Sequence, residues 1–279
     1  MTVIVVWYEK PDNALWSVAD TRISRPGQGG GQVVLTDSGA KLFSLPVSCR
    51  EVSTDPSVKR YPYYASTFGY AFAGDVLPAA MTIATTITIT QELIAYDAKL
   101  PPRLADIANL VRRLSERFSR EVLSSSHGNY GKFEAVVFGY CPHANALGAF
   151  HLRPELSQGQ LSVSMSECAI GHDDSALVFG NGRTRAIDKI AQLRSEGDHH
   201  RRTVRLPKLA VEALIREDSG DVGGSLSVGI AGHWGFSLYG SVQPIEEGKP
   251  PARRTFNGID LDEEIGMVGP CAVGMSAQP

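Results

Sequence analysis

Residues 2–8 read Thr-Val-Ile-Val-Val-Trp-Tyr, an almost unbroken run of apolar side chains that is rich in β-branched residues. Such a run is typical of a buried strand. A turn signal, Lys10-Pro11-Asp12-Asn13, follows it, and residues 14–21 form a second strand candidate. The chain is therefore predicted to begin with a β-hairpin.

Further strands and helices follow in groups. Strands are predicted at 32–35, 41–45, 63–72, 133–141, 146–152, 160–165, 176–179, 226–231 and 235–239, and helices at 104–123, 184–194 and 208–216. Residues 25–31 are rich in glycine and predict a flexible loop.

One segment, residues 76–95, permits two interpretations. Residues 85–90 alternate threonine and isoleucine like a strand, whereas the apolar residues over the longer window recur at helical spacing. Asp75 stands where a helix N-cap is expected. We predict a helix here.

The order of elements predicts the fold class. Antiparallel strand sets with helices grouped between them indicate an α+β architecture with two packed sheets flanked by helices. Residues 1–243 are predicted to form one domain. Beyond Pro244 the chain is rich in proline, glycine and acidic residues, so residues 244–279 are predicted to be an irregular tail.

Composition excludes several classes of protein. Hydrophobic residues make up 43% of the 279 residues and the formal net charge is −3, so neither nucleic acid nor an anionic membrane is predicted as a partner. No apolar run reaches the roughly 18 residues of a membrane-spanning helix. Met1-Thr2-Val3-Ile4 lacks the basic start of a signal peptide, so a cytoplasmic protein is expected. Four scattered cysteines show no zinc-binding spacing, and we predict neither a metal nor a cofactor.

Four segments carry a resemblance to a known family. They are residues 1–6, Ala19-Asp20-Thr21-Arg22, Lys41-Leu42-Phe43 and residues 71–75, Ala-Phe-Ala-Gly-Asp. In order and spacing they resemble the first half of a proteasome β-type subunit, an N-terminal-nucleophile hydrolase. The resemblance implies a four-layer αββα sandwich of two antiparallel sheets between helix layers. It also implies assembly into a homo-oligomeric ring.

The resemblance also implies residue roles. Thr2 matches the nucleophile of the family, Asp20 its acidic partner and Lys41 its catalytic lysine. Arg22 belongs to the same segment as Asp20 and is a supporting candidate. Backbone N–H groups near Ala71 are expected to face the oxyanion that forms during the reaction.

The second half resembles the family more loosely. Gly180-Asn181-Gly182 resembles the Gly-Ser-Gly that lies beside the nucleophile, with Asn181 in place of serine. Either Asp218 or Asp221 supplies the aspartate of a later Asp-x-x-Ser motif, whose serine is missing here. These departures affect the accessory proton-relay positions.

The chemistry depends on a free amine at Thr2. The small size of Thr2 generally permits removal of Met1, so no propeptide is expected. The freed α-amino group, with a reference pKa of about 7.7–8.0, is suited to take the Oγ proton. Lys41, as an ammonium ion, would keep that amine neutral and stabilise negative charge on Oγ. Asp20 would orient Lys41 and keep it charged.

The sequence thus predicts a threonine-type amide-bond hydrolase, a peptidase acting on peptide or protein substrates, with any unfoldase partner unidentified. Two alternatives stay open: a non-catalytic ring or scaffold subunit, and an amidase for small molecules. Each residue also has a structural interpretation. Thr2 suits a strand, Asp20 and Arg22 suit an ion pair, and Lys41 suits a side chain extended along apolar neighbours.

Overall fold

The structure is a computed structural model. It describes residues 2–27, 31–52, 61–96, 99–127, 130–157, 160–170, 175–196, 205–218, 220–242 and 254–278.

Strands dominate the described residues. They are β1 (Ile4–Glu9), β2 (Ala14–Asp20), β3 (Ile23–Pro26), β4 (Gln32–Thr36), β5 (Leu42–Glu51), β6 (Tyr64–Gly74), β7 (Leu93–Ala95), β8 (Phe133–Cys141), β9 (Ala146–Ser157), β10 (Gln160–Glu167), β11 (Ala176–Phe179), β12 (Leu226–Gly232), β13 (Gly235–Val242), β14 (Arg254–Phe256), β15 (Ile259–Asp260), β16 (Met267–Val268), β17 (Cys271–Ala272) and β18 (Ala277–Gln278). The α-helices are α1 (Val76–Thr90), α2 (Leu104–Ser125), α3 (Arg183–Glu196) and α4 (Leu206–Glu217), and Leu261–Ile265 forms a π-helical turn.

Two large sheets organise these strands. The larger runs in the order β11-β1-β2-β12-β13-β14-β15, with β18 also paired to β13, and the smaller in the order β10-β9-β8-β6-β5-β7. The predicted opening hairpin is the β1–β2 pair, in which Ile4 lies opposite Ala19. The sheets are not purely antiparallel, since β7 pairs parallel to β5 and β18 parallel to β13. Both exceptions are strands of two or three residues at positions that the sequence pattern did not reveal.

An apolar layer lies between the two large sheets. It joins side chains of β1, β2 and β13 to side chains of β6, β8 and β9. Phe138 of β8 meets Phe236 of β13 edge to face, with ring centroids 5.3 Å apart. This layer joins the two sheets whose strand ends carry the candidate residues.

The helices pack on the outer faces of the sheets. A second cluster joins α1 and α2 to the smaller sheet, and a third joins α3 and α4 to the larger one. The mixed α+β class that the sequence predicts is therefore confirmed.

None of the described helices is both long and apolar enough to cross a membrane.

The ambiguous segment is helical, as predicted. Asp75 caps α1 by accepting a hydrogen bond from the Leu77 N–H at 3.2 Å. The buried threonines of α1 bond back to carbonyl groups one turn earlier, as Thr86 Oγ1 does to Thr82 O at 2.7 Å. This bonding satisfies hydroxyl groups that would otherwise be buried without partners.

The irregular tail expected beyond residue 243 is wrong for residues 254–278. β14 pairs with β13 and with β15, so this segment extends the larger sheet. Asn257 and Gly258 join β14 to β15 with positive φ angles of 51° and 81°, the conformation of a tight hairpin turn. The domain boundary at residue 243 stays a prediction, and residues 244–253 lie outside the described part of the chain.

Candidate active site

The β1–β2 hairpin sets Thr2 beside Asp20. Past the last ladder pair of the hairpin, the N–H of Asp20 donates to the carbonyl of Val3 at 3.3 Å. In return, the N–H of Val3 donates to Oδ1 of Asp20 at 2.9 Å. Asp20 is completely buried and Thr2 is 8% exposed. The residue that follows the candidate nucleophile is thus hydrogen-bonded to the candidate acid.

Lys41 reaches the same carboxylate from the other sheet. It directly precedes β5, and its carbonyl accepts a hydrogen bond from the N–H of Phe72 at 3.2 Å. Its Nζ donates to Oδ1 of Asp20 at 2.8 Å, and Lys41 is only 2% exposed. A lysine so far from water keeps its charge only with a bonded carboxylate.

Burial lowers the pKa of Lys41, although the neighbouring Asp20 charge and hydrogen bond act in the opposite direction. Arg22 adds a smaller effect that also lowers this pKa by like-charge repulsion. A buried lysine with a lowered pKa releases a proton more readily than a lysine in water. The hydrogen bond to Asp20 favours the charged form of Lys41, and that form can stabilise negative charge on a nearby oxygen.

The Gly180-Asn181-Gly182 segment holds Thr2 by its backbone. The N–H of Gly182 donates to the carbonyl of Thr2 at 3.0 Å. Gly180 has a φ of +88°, and a Cβ atom there would lie 2.3 Å from that carbonyl oxygen. Gly180 is therefore required for two reasons: its φ angle is unfavourable for other residues, and a side chain would collide with the Thr2 carbonyl. Asn181 lies between the two glycines and lines the same cleft as Thr2.

Arg22 is the centre of an ion cluster behind the site. Its Nε donates to Oδ1 of Asp37 at 2.6 Å, its Nη2 donates to Oδ2 at 3.2 Å, and its Nη1 donates to Asp218. The guanidinium group lowers the pKa of Asp37 and its own pKa is raised in return. The hydroxyl of Thr21 donates to the carbonyl of Asp37 at 2.5 Å and accepts the Ser225 N–H at 2.6 Å. These bonds hold together three connecting segments, the one after β2, the one after β4 and the one between α4 and β12.

The two candidate aspartates of the second half have different partners. Asp218 binds Arg22, and Oδ1 of Asp221 binds Nη1 of Arg185 at 3.2 Å. The group of this loop that reaches Asp20 is the backbone of Gly223, whose N–H donates to Oδ2 at 3.3 Å. Its carbonyl accepts the N–H of Arg22 at 3.1 Å. Sequence reasoning missed the roles of Gly223 and Asp37 because neither residue type indicates its tertiary partner.

Ala71 does not reach the cleft. It lies opposite Leu42 of β5 and Val136 of β8 inside the smaller sheet and is completely buried. The N–H of Phe72 points toward Lys41, so alternation directs the N–H of Ala71 toward β8. The next N–H on the β5 side belongs to Gly74, which lies past the start of β5 and lines the cleft. Ala71 itself is therefore not among the residues that line the cleft, whereas Gly74, three residues further on, does line it. The oxyanion donor stays a prediction.

The cleft itself has a volume of about 960 Å³. Its walls come from the β3–β4 hairpin, the end of β6 and the start of β8, and Thr2, Lys41 and Asn181 line it together. The structure thus brings Thr2, Asp20 and Lys41 into one site. In the described residues, no group of three or more His, Cys, Asp or Glu side chains is placed to hold a metal ion.

Comparison with known proteins finds a similarity of fold alone. No protein-family model matches the chain, and no curated protein matches it. The chain is similar in fold to Anbu. This solved structure, the ancestral beta-subunit from Yersinia bercovieri, matches with a TM-score of 0.53 and 15% identity over 85% of this chain and 86% of that chain.

These findings correct the sequence-based identification. Membership of the proteasome β-subunit family is wrong as a prediction, because no family model matches and the identity to Anbu is only 15%. The similarity to Anbu shows the fold alone. Short motifs gave the right strand positions, but they cover too little of the chain to establish a family.

Proposed function

We propose that this chain is a threonine-dependent amide-bond hydrolase whose nucleophile is Thr2 after removal of Met1. The observation that carries the proposal is the buried ion pair between Lys41 and Asp20, which lies in the same site as Thr2. A buried charged pair is costly to keep in a fold, and such pairs with shifted pKa values concentrate at functional sites.

The reaction would begin at the hydroxyl of Thr2. Its Oγ1 attacks the substrate carbonyl carbon while the free α-amino group takes the hydroxyl proton. Lys41 stabilises negative charge as it develops on the oxygen, and the Gly74 N–H is the candidate donor to the oxyanion. The C–N bond then breaks, the leaving amine takes the proton, and an ester on Thr2 remains for water to hydrolyse. Asp20 acts as a positioning residue through Lys41.

A peptide substrate is supported by the shape of the cleft. Residues 23–26 of β3 form one wall and residues 72–74 at the end of β6 form another. Both segments have an edge beyond their sheet partners, so an extended peptide could pair with them by main-chain hydrogen bonds.

The three apolar clusters also support the finer architecture that we propose, a four-layer αββα sandwich. The homo-oligomeric ring and the cytoplasmic location stay predictions.

The second candidate function is a non-catalytic scaffold subunit. Two observations favour it: Asn181 occupies the position expected for serine, and Asp221 is engaged with Arg185. An amidase acting on small molecules is a variant of the first proposal and differs only in substrate length.

Substitution of Thr2 by alanine separates these candidates. We expect Thr2→Ala to abolish hydrolysis of a peptide library while the size of the assembly in sedimentation and the thermal unfolding temperature stay unchanged. Thr88→Ala on α1 is a matched control that removes an exposed hydroxyl outside the residues that line the cleft. Hydrolysis that survives Thr2→Ala would contradict the proposed nucleophile, and a wild type without hydrolysis would favour the scaffold.

A further inference from the structure

A second carboxylate lies in the wall of the cleft, away from Asp20. Glu134 of β8 stands directly opposite Ala73 of β6 and lines the cleft. Ala73 is next to the Thr2 segment, because a Cβ at Gly180 would lie 3.2 Å from its methyl group and 2.3 Å from the Thr2 carbonyl oxygen. Opposite residues of antiparallel strands have Cβ atoms about 4.5–5.5 Å apart. The Cβ atom of Glu134 is therefore expected about 4.5–5.5 Å from that of Ala73, and Ala73 lies beside the segment that holds Thr2.

A buried histidine holds this carboxylate in place. Nε2 of His151 lies 3.0 Å from Oε2 of Glu134, and His151 is only 3% exposed. Nε of Arg153 donates to Nδ1 of His151 at 3.1 Å. Since an arginine can only donate, Nδ1 is the acceptor, and Nε2 carries the proton that it donates to Glu134. The imidazole ring also packs on Phe179, with ring centroids 5.3 Å apart.

Glu134 has acceptor capacity left for a ligand. An ionised carboxylate offers about four acceptor positions. Within the described part of the chain Glu134 accepts a hydrogen bond from His151 alone, and its side chain is 38% exposed. Asp75, the other carboxylate of the cleft wall, accepts the N–H groups of Leu77 at 3.2 Å and Gly131 at 2.7 Å as a helix cap. Its oxygens are thus used within the fold.

The positively charged side chains near the cleft either have other partners or are exposed. Lys41 is paired with Asp20, and Arg153 is directed at His151. Lys132 and Arg25 line the cleft with exposed side chains. Lys132 precedes Glu134 by two residues, so its ammonium group weakens the negative potential at Glu134 without being bonded to it in the described structure.

We propose that Glu134 is a specificity-determining residue that binds a positively charged group of the substrate, such as a lysine or arginine side chain, close to the amide bond that Thr2 attacks. This inference rests on the proposed function. The half-buried carboxylate, fixed from behind by His151, would form a charge-assisted hydrogen bond that a neutral side chain cannot form.

The test compares pairs of internally quenched peptides. The two members of a pair differ at one position, which is lysine in one and norleucine in the other, and that position is moved along the peptide. We expect kcat/KM to favour lysine at one position, and Glu134→Gln to reduce that preference about 10-fold to 100-fold. Lys132→Gln should raise the preference about threefold, because it removes the competing charge. Glu155→Gln, at an exposed position of β9, is the matched control and should leave the preference unchanged.

Equilibrium binding makes the test independent of turnover. The Thr2→Ala variant should bind the lysine peptide about tenfold more tightly than the norleucine peptide, and Glu134→Gln in that background should remove the difference. Equal loss for both peptides, or an unchanged preference in Glu134→Gln, would overturn the role of Glu134. If hydrolysis survives Thr2→Ala, the proposed function fails, whereas the binding result still decides the inference about Glu134.

Discussion

Nζ of Lys41 lies 2.8 Å from Oδ1 of Asp20, and the same oxygen accepts the N–H of Val3 at 2.9 Å. One carboxylate atom thus joins the start of β5 to the residue that follows Thr2. The other oxygen, Oδ2, accepts the N–H of Gly223 from the second half of the chain. Asp20 therefore positions both the candidate nucleophile and its candidate partner, which explains why a charged pair occupies a buried position beside the cleft.

Asp20→Asn tests this relationship. The variant leaves the buried Lys41 without a counter-charge, so we expect the free energy of unfolding to fall by about 3–5 kcal/mol. Hydrolysis should fall at least about 100-fold, because Lys41 loses both its orientation and its charge. Urea unfolding and kcat measure the two effects.

The double variant Asp20→Asn/Lys41→Met is the control for that experiment. It removes both charges, so it should recover much of the lost stability, since an apolar side chain tolerates the buried position. It should not recover activity. A double variant that is as unstable as Asp20→Asn would show that Lys41 does not carry a buried charge in the native protein.

Gly180→Ala tests the backbone contact at Thr2. A methyl group there would lie 2.3 Å from the Thr2 carbonyl oxygen, in a backbone with φ +88°. We expect a loss of about 1–3 kcal/mol of stability, together with loss of activity as Thr2 shifts. Gly220→Ala is the matched control, because its φ is +85° and, among the described residues, no atom outside its chain neighbours lies within 4 Å of the added methyl group. If the two variants behave alike, the contact with Thr2 is not what requires glycine.

The pH dependence of stability should report on Asp37. Arg22 lowers the pKa of Asp37 in the folded protein below the unfolded value of about 3.9. The stability that Asp37 contributes is therefore present above the unfolded pKa and is lost as pH falls through the folded pKa. The difference in unfolding free energy between wild type and Asp37→Asn should be constant from pH 5 to 7 and shrink below about pH 4. Because the Asp37 side chain is 50% exposed, the difference should be about 1 kcal/mol. A difference that grows toward low pH would contradict this assignment.

Gly258→Ala tests whether the C-terminal hairpin supports the Arg22 cluster. The added methyl group would lie 3.1 Å from the hydroxyl oxygens of Ser225 and Ser38, next to the loop that carries Asp37. We expect a lower kcat and a loss of about 1–2 kcal/mol of stability beyond that of Gly269→Ala. Gly269 also has a positive φ, +61°, and in the described part of the chain no atom outside its neighbours lies within 4 Å of the added methyl group. Equal effects of the two substitutions would show that the hairpin does not constrain the site.

The residues of the site that sequence could predict are those in short, ordered motifs. Thr2, Asp20 and Lys41 are predicted from the resemblance of short segments to a known family, and the structure places the three residues close together. The direction of the Ala71 N–H could not be predicted from sequence, because the direction of an N–H group depends on which neighbouring strand pairs with it. The place of Gly74 in the wall of the cleft is known only from the structure.

Other features depend on tertiary contacts that no local pattern reveals. Asp37 lies between the predicted strands 32–35 and 41–45, and its partner Arg22 comes from another part of the chain. The strands β14, β15 and β18 are two or three residues long within a segment rich in proline and glycine. β14 and β18 pair with β13, and β15 pairs with β14. Glu134 gave no signal either, since its significance comes from His151 behind it.

The most direct test of the central claim is the intact mass of the purified protein before and after reaction with an epoxyketone, an electrophile that needs both a free α-amine and a threonine hydroxyl. We expect a mass without Met1 and the addition of one probe molecule, with Thr2→Ala unlabelled. A protein that has lost Met1 and still adds no probe would contradict the claim that Thr2 is an active nucleophile.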